Sequence, residues 1–225
     1  MKPRIKIDSS LMILAVVLTG FLFFFRKLYP QNIVMDNVLD FIGYMAIFKG
    51  TLLRMSARGH KKANSQKSHS LVTTGPYTLT RNPMYLGTFM VGCGFILMFW
   101  PWWLLPVYAI LFYLRFNQEM TKEEALLTEN FGQEYKDYCA KTPRIFPSII
   151  KSLSARTQDI FNLQEAFSTK EKRALFLLPV LAIGLETLQE WVVFGVFNIA
   201  VSVMLCLGAA VLFAISLWIL YQRKS

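Results

Sequence analysis

The chain has 225 residues, of which 54% are hydrophobic, with a mean hydropathy of +0.40 and a formal net charge of +10. This composition is more apolar and less charged than that of an average soluble domain, and it indicates a membrane protein. The positive charge would also suit a nucleic-acid-binding protein, but the Lys and Arg residues flank apolar runs, as they do in membrane proteins. The three cysteines are scattered without CxxC spacing, which argues against a disulfide framework and against a zinc site.

Apolar runs predict an all-α, polytopic integral membrane helical bundle that forms a single domain over residues 1–225. A helix needs roughly 20 apolar residues to cross a bilayer, so the run at 84–116, which WPWW interrupts, predicts a tight helical hairpin with its tryptophans at an interface. This gives about six membrane segments. A cleaved signal peptide is the alternative for residues 1–25, but no small-residue cleavage site follows them. The apolar runs lie at 11–25, 33–53, 84–116, 174–195 and 196–221.

Basic residues predict the orientation of this bundle. Residues 54–83 contain Lys and Arg but no acidic residue, and both ends of the chain also carry basic residues. With six segments, these three regions lie on one side, and an excess of positive charge marks that side as cytoplasmic. We therefore expect an integral, multi-pass membrane protein with both termini and its cofactor site on the cytoplasmic side.

Two polar segments, 54–83 and 117–173, are predicted to lie in the cytoplasm. The first part of the second segment has the composition of a helix. Thr121 and Glu124 have the spacing of a capping box, which predicts a helix start at that point. Gly132 interrupts the helical pattern and is expected to end one helix before the next begins.

The remainder of the chain predicts additional helices. Apolar residues recur at mostly helical spacing between basic ones, which predicts an interfacial amphipathic helix over 148–173. Ser168 followed by Glu171 is a second capping-box signal. Two additional C-terminal spans are predicted at 174–221. Glu186 and Glu190 lie one helical turn apart in the first of them, either near the outer interface or against a partner helix.

The stretch TTGPYTLTRNPMYLG, residues 73–87, carries the most specific local signal. Gly75-Pro76 and Asn82-Pro83 each predict a turn, and each proline disfavours helix at the residue before it. Residues 73–83 are therefore expected to form a stiff loop, followed by a helix that starts near Pro83. Such a loop exposes backbone groups that can hold a ligand, but composition alone favours an ordinary connector between spans.

A second motif, about 40 residues later, favours a binding function for this loop. The pattern HxLVxxGPYxxxRxPxYxG over 69–87, followed by EExxLxxxFGxxYxxYxxxxPRxxP over 123–147, resembles the integral-membrane methyltransferases. That group includes isoprenylcysteine carboxyl methyltransferases and phospholipid N-methyltransferases. The resemblance implies a methyltransferase core at 54–147 and S-adenosylmethionine as cofactor, with no metal. It also implies a membrane lipid or lipidated small molecule as substrate and the bilayer as a partner, with no nucleic acid involved.

The resemblance also implies residue roles. Glu123 and Glu124 match the acidic pair that binds polar groups of the cofactor, and Lys141 lies where the isoprenylcysteine enzymes have an arginine near the substrate carboxylate. Arg81, Glu123 and Lys141 are the implied catalytic residues. The residues implied to bind the cofactor are His69, Leu71, Gly75, Tyr77, Asn82, Tyr85, Glu123 and Glu124.

Asn82 separates two hypotheses about the substrate. The family more commonly has histidine at this position, and Asn-Pro-Met-Tyr also occurs in its phospholipid-methylating branch. The Phe-Gly-x-x-Tyr block and Lys141 instead favour carboxyl O-methylation of an isoprenylcysteine-like or other small amphiphile, which is the principal hypothesis. Phospholipid N-methylation is the alternative. A sterol-type reductase would need a longer chain, and a non-enzymatic transporter or assembly protein would tolerate loss of Glu123 and Glu124.

Overall fold

In the residues that the computed structural model describes, all regular secondary structure is helical. Among these residues the helices are α1 (Ile33–Ser68), α2 (Pro83–Phe99), α3 (Leu105–Lys141), α4 (Leu163–Phe167) and α5 (Lys172–Gln189). Short 3-10 turns lie at Arg26–Leu28, Gly75–Thr78 and Trp102–Leu104, and a π-helical turn at Glu190–Phe194 follows α5. Residues 17–22 are also helical. The structure describes residues 17–22, 25–29, 32–68, 70–147, 162–169 and 171–195.

Helices α1 and α2 run antiparallel and form the centre of the structure. Gly43 lies against Gly94 and Gly50 lies against Gly87. A Cβ added at Gly50 would be 2.6 Å from the Gly87 carbonyl oxygen, and one added at Gly94 would be 2.4 Å from that of Gly43. Small residues at such contacts allow helix backbones to approach closely. This contact fixes the middle of α1 beside the start of α2.

The predicted hairpin at 84–116 is confirmed as a helical hairpin. Helix α2 ends at Phe99 and α3 begins at Leu105. The two arms join through aromatic rings, since Phe89 stacks on Tyr108 with centroids 5.5 Å apart. The second arm does not end with the apolar run but continues as one helix into the polar segment.

The first capping-box prediction is wrong, whereas the predicted interruption at Gly132 is confirmed. Thr121 lies inside α3, and its hydroxyl donates to the Asn117 carbonyl one turn back, at 2.9 Å. Because the helix already runs through this point, Thr121 has no free helix start to cap. Gly132 has φ 53° and ψ −119°, so α3 is kinked there.

The second capping-box prediction, from Ser168 and Glu171, is also wrong. Ser168 follows the last residue of α4, and its hydroxyl donates to the Glu165 carbonyl oxygen at 2.7 Å. Glu171 precedes α5 without capping it through its side chain. The predicted amphipathic helix at 148–173 is interrupted between α4 and α5, and its first part, 148–161, lies outside the described residues.

Helices α4 and α5 pack on the central pair. Ala182 of α5 lies in a buried cluster with Ile47, Met98 and Phe99. About two turns further along α1, the buried Ala166 of α4 packs with Met55 and Leu175.

Within the described residues, no helix combines the length and the apolarity needed to cross a membrane. The predicted span at 196–221 and most of the one at 11–25 lie outside those residues. The all-α class is confirmed for the described part, while the membrane bundle stays a prediction.

Candidate functional site

A cavity of about 1040 Å³ lies where the ends of α1 and α2 meet the polar half of α3. Its two sides carry opposite charge. We call Glu123 and Glu124 on α3 the acidic wall. Four residues of α1 form the basic wall, namely Arg54, Arg58, Lys61 and Lys62. A volume of this size is at the upper end for small-molecule sites, roughly 300–1,000 Å³.

The 73–83 loop is held against the end of the second motif by hydrogen bonds. The backbone N–H of Arg81 donates to the Pro143 carbonyl oxygen at 2.9 Å. The hydroxyl of the fully buried Thr80 donates to the Arg144 carbonyl oxygen at 3.1 Å. The two motif segments are therefore joined directly, and helix α2 begins at Pro83 as predicted.

Asn82 connects the loop to the acidic wall. Its Nδ2 donates to Glu124 Oε1 at 3.2 Å and to the Arg144 carbonyl oxygen at 3.0 Å. Arg144 in turn donates from Nε to Glu124 Oε2 at 3.1 Å. An ionised carboxylate only accepts hydrogen bonds, so these two donors orient the Glu124 side chain.

Arg81 lies beside this network. Its Nη1 donates to Cys139 Sγ at 2.8 Å and lies 3.5 Å from Glu124 Oε1. Burial acts to lower the pKa of Arg81, but the negative charge of Glu124 and the hydrogen bond to Cys139 raise it, so the guanidinium stays charged. Its buried Nε has no hydrogen-bond partner among the described residues, an arrangement that in native structures calls for an explanation such as a bound group.

Two tyrosines face Glu123. The Tyr85 hydroxyl donates to Glu123 Oε1 at 3.0 Å. The pKa of Tyr77 is raised by burial, and further by the charge of Glu123, so its phenol keeps its proton at physiological pH. The Tyr77 carbonyl oxygen accepts from the Tyr138 hydroxyl at 2.7 Å, which ties the loop to the last turns of α3.

The residues implied by the resemblance do not all lie at the cavity. Leu71 is half-buried and Lys141 is exposed at the end of α3, and neither lines it. Gly75 is a buried residue of the loop itself, with φ +61°, and it does not line the cavity. His69 lies outside the described residues. Six of them do line it, namely Tyr77, Arg81, Asn82, Tyr85, Glu123 and Glu124.

The structure also adds residues that the sequence pattern did not single out. Arg144 is one of them, although it stands in the Pro-Arg pair of the second motif. His60 is another: its Nδ1 lies 2.7 Å from Glu165 Oε2 and its Nε2 lies 2.8 Å from Thr74 Oγ1. No local signal marks His60, because its partner Glu165 is 105 residues away.

Comparison with known proteins supports the resemblance. Residues 39–134 match the family model described as phospholipid methyltransferase. Among curated proteins, the chain is 36% identical over 86 residues to the nickel-cobalt-cadmium resistance protein NccN of Alcaligenes xylosoxydans xylosoxydans. That match covers 38% of this chain and 40% of the relative.

Isoprenylcysteine enzymes also match. The chain is 34% identical over 83 residues to protein-S-isoprenylcysteine O-methyltransferase of Schizosaccharomyces pombe, covering 37% of this chain and 35% of the relative. It is 33% identical over 119 residues to the enzyme of that name from Mus musculus, covering 49% of this chain and 42% of the relative. The matches thus span about two fifths of the length of these relatives.

No solved structure matches the chain. The family model nevertheless matches the part of the chain that contains the first motif and the acidic pair. Residues 39–134 of this chain are therefore similar to the phospholipid methyltransferase family, and parts of the chain are similar to the isoprenylcysteine O-methyltransferases.

Proposed function

We propose that this chain is an integral-membrane, S-adenosylmethionine-dependent methyltransferase that acts on a lipid-like substrate, by carboxyl O-methylation of an isoprenylcysteine-like or other small amphiphile. The observation that carries the proposal is the hydrogen bond from Asn82 to Glu124, because it joins the two motifs at one cavity. The family match over residues 39–134 and the apolar runs of the sequence support it.

The residues at the cavity fit S-adenosylmethionine. When bound, the cofactor supplies a methyl group on a positively charged sulfonium. Glu123 and Glu124 provide negative charge on one wall, and opposite charges within a few ångströms stabilise each other. Tyr77 and Tyr85 add aromatic surface beside that wall, and a cation over an aromatic ring is also stabilised. The described residues therefore offer both charge and shape for a cationic ligand.

Positioning is the main task of this site. Methyl transfer is an in-line displacement, which needs alignment of donor and acceptor more than acid–base groups. Holding two reactants in the correct geometry can supply roughly 7–11 kcal/mol of the barrier. The loop prolines and the hydrogen bonds of Asn82 and Arg144 keep the acidic wall in one geometry before ligand arrives.

The methyl acceptor is proposed to enter from the bilayer, with the site on the cytoplasmic face. Carboxyl O-methylation follows from the isoprenylcysteine relatives, while N-methylation of a phospholipid is the second candidate because the matching family model carries that description. The printed name of NccN concerns metal resistance and states no reaction, so it favours neither acceptor.

Calorimetric titration of the detergent-solubilised protein with S-adenosylhomocysteine tests the cofactor. We expect binding that Glu123→Gln weakens and that Glu134→Gln leaves unchanged, because Glu134 is an exposed acid of the same helix away from the cavity. The absence of both heat and thermal stabilisation at millimolar ligand would refute the proposed cofactor.

Methyl transfer from a radiolabelled donor identifies the acceptor. Total membrane lipid extract and farnesylcysteine analogues are offered in parallel. Label in a base-labile product indicates a methyl ester, whereas base-stable label in the phospholipid fraction indicates N-methylation. Absence of label in both fractions, with Glu123→Gln and wild-type protein equally inactive, would favour a non-enzymatic protein.

A further inference from the structure

The basic wall of the cavity has no role in the function proposed so far. Arg54, Arg58, Lys61 and Lys62 follow each other at helical spacing along the second half of α1, and all four line the cavity. Helical residues three and four positions apart lie on one face, so these side chains form one continuous positive surface.

One carboxylate neutralises only part of this charge. Arg54 lies 3.3 Å from Glu171 Oε1, and Arg58 also pairs with this oxygen. The Glu171 side chain is only 10% exposed, whereas that of Arg58 is 50% exposed. Glu171 therefore holds both guanidinium groups from the protein side. Among the described residues it is the one carboxylate in a salt bridge with the four positive charges of this wall.

Residues 162–169, which precede Glu171, are held on α1. Glu165 contacts His60 at 2.7 Å, and Ala166 is fully buried against Met55. Ser168 and Thr169 of the same segment line the cavity beside the basic wall. Arg54 is held from a second direction as well, since its Nη1 donates to Thr88 Oγ1 at 3.0 Å.

Resting on the proposed function, we propose that Arg54, Arg58, Lys61 and Lys62 form an anion subsite for the methyl acceptor, which is an amphiphile that carries a carboxylate or phosphate group. Arginine recognises both anions through paired N–H donors, and lysine adds positive charge. The acidic wall would repel the same anion. The opposite charges of the two walls therefore orient the acceptor, with its anionic group towards α1.

The resemblance implied that Lys141 lies near the carboxylate of the substrate. Lys141 is exposed and does not line this cavity, so it is not part of the basic wall. The acceptor's anion would thus be held by α1 in this chain. The carboxylate of the cofactor is the competing occupant of the same charges, and the experiment must separate the two.

Binding of four probes that share one alkyl chain tests the subsite. Dodecanoate, dodecyl phosphate, dodecanol and dodecyltrimethylammonium are titrated into the protein in a neutral detergent. We expect the two anionic probes to bind about tenfold more tightly than the other two, a difference that corresponds to one charge-assisted contact. Acetate and inorganic phosphate, added as competitors, show whether the anion must be attached to an alkyl chain.

Variants assign the preference to the basic wall. Arg58→Gln and the double variant Lys61→Gln with Lys62→Gln should each weaken dodecanoate and dodecyl phosphate about tenfold and leave dodecanol unchanged. Lys122→Gln is the matched control, because Lys122 is an exposed cation on α3 that does not line the cavity. The double lysine variant affects exposed side chains alone, so it remains informative if Arg58→Gln fails to fold.

Titration with S-adenosylhomocysteine distinguishes this inference from the proposed function. Loss of anion preference with unchanged S-adenosylhomocysteine affinity supports the acceptor subsite. Weakened S-adenosylhomocysteine binding in the same variants, with probe preference unchanged, would assign these charges to the cofactor's carboxylate and overturn the inference. Equal binding of all four probes to wild-type protein that binds S-adenosylhomocysteine would overturn it as well, while leaving the proposed function standing.

Discussion

Asn82 Nδ2 donates to Glu124 Oε1 at 3.2 Å, across 42 positions of sequence. This amide is buried, and its second acceptor is the Arg144 carbonyl oxygen. Asn82 therefore contacts the start and the end of the second motif at once. As a neutral group it fixes a carboxylate by hydrogen bonding, without a charge of its own that titrates near physiological pH.

We expect Asn82→Ala to weaken S-adenosylhomocysteine binding by about 2 kcal/mol, because hydrogen bonds to charged groups contribute roughly 1.5–3 kcal/mol. The variant removes one donor from Glu124 and leaves the Arg144 carbonyl oxygen without the amide. Calorimetric titration measures the effect. Asn130→Ala, which alters an exposed asparagine of α3, is the control and should bind like the wild type. Unchanged affinity in Asn82→Ala would mean that the loop and Glu124 act independently.

Arg144→Lys tests whether the fork geometry of arginine is needed. Arg144 donates through three different nitrogens, to Glu124 at 3.1 Å, to Asn117 at 2.7 Å and to Thr121 at 2.8 Å. A single ammonium group cannot reach all three acceptors. We expect a loss of about 2 kcal/mol in the free energy of unfolding, measured by thermal unfolding in detergent. Lys136→Arg, at an exposed position, is the control for the exchange of one cation for another. A melting temperature equal to that of the wild type would show that charge alone suffices.

The parts of the fold that the sequence predicts are those with local causes. Pro83 starts α2 because its fixed φ and missing N–H suit a first helical turn, and the Trp100–Pro101 interruption separates the hairpin arms. Gly132 kinks α3 through a backbone angle that other residues avoid. Thr121 failed as a capping residue because the capping pattern does not reveal that a helix already runs through it.

In the site, too, the residues with a local sequence signal were predicted and those held by long-range contacts were not. Loop and acidic wall carry a recognisable motif, so the sequence identified Asn82 and Glu124. The pairing of Arg54 with Glu171 joins residues 117 positions apart, and no sequence pattern near either residue predicts it. The motif position of Lys141 likewise does not determine on which face of α3 the side chain lies.

Gly75→Ala should destabilise the protein more than Gly132→Ala. Both glycines have positive φ, which costs other residues about 1–2 kcal/mol. A Cβ at Gly75 would also lie 2.9 Å from the His60 ring, and that ring is held by Glu165 and Thr74, whereas nothing lies within 4 Å of one at Gly132.

We therefore expect the free energy of unfolding to fall by about 3 kcal/mol in Gly75→Ala, from backbone strain and the contact with His60 together. In Gly132→Ala it should fall by about 1 kcal/mol, from backbone strain alone. Thermal unfolding in detergent measures both. Equal losses would show that the His60 ring moves aside without cost and that its contacts do not support the loop.

Gly59→Ala should loosen the segment 162–171 from α1. A Cβ at Gly59 would lie 2.1 Å from the Glu165 carbonyl oxygen, a backbone atom that cannot move without the rest of α4. We expect faster hydrogen–deuterium exchange of residues 162–171, since exchange reports local opening. Gly184→Ala is the matched control, because that helical glycine has nothing within 4 Å, and alanine there should stabilise α5 by about 0.5–1 kcal/mol. Ser168 and Thr169 of this segment line the cavity and Glu171 pairs with its basic wall, so Gly59→Ala should also weaken ligand binding at the cavity. Unchanged exchange in the variant would show that the segment is not held by this contact.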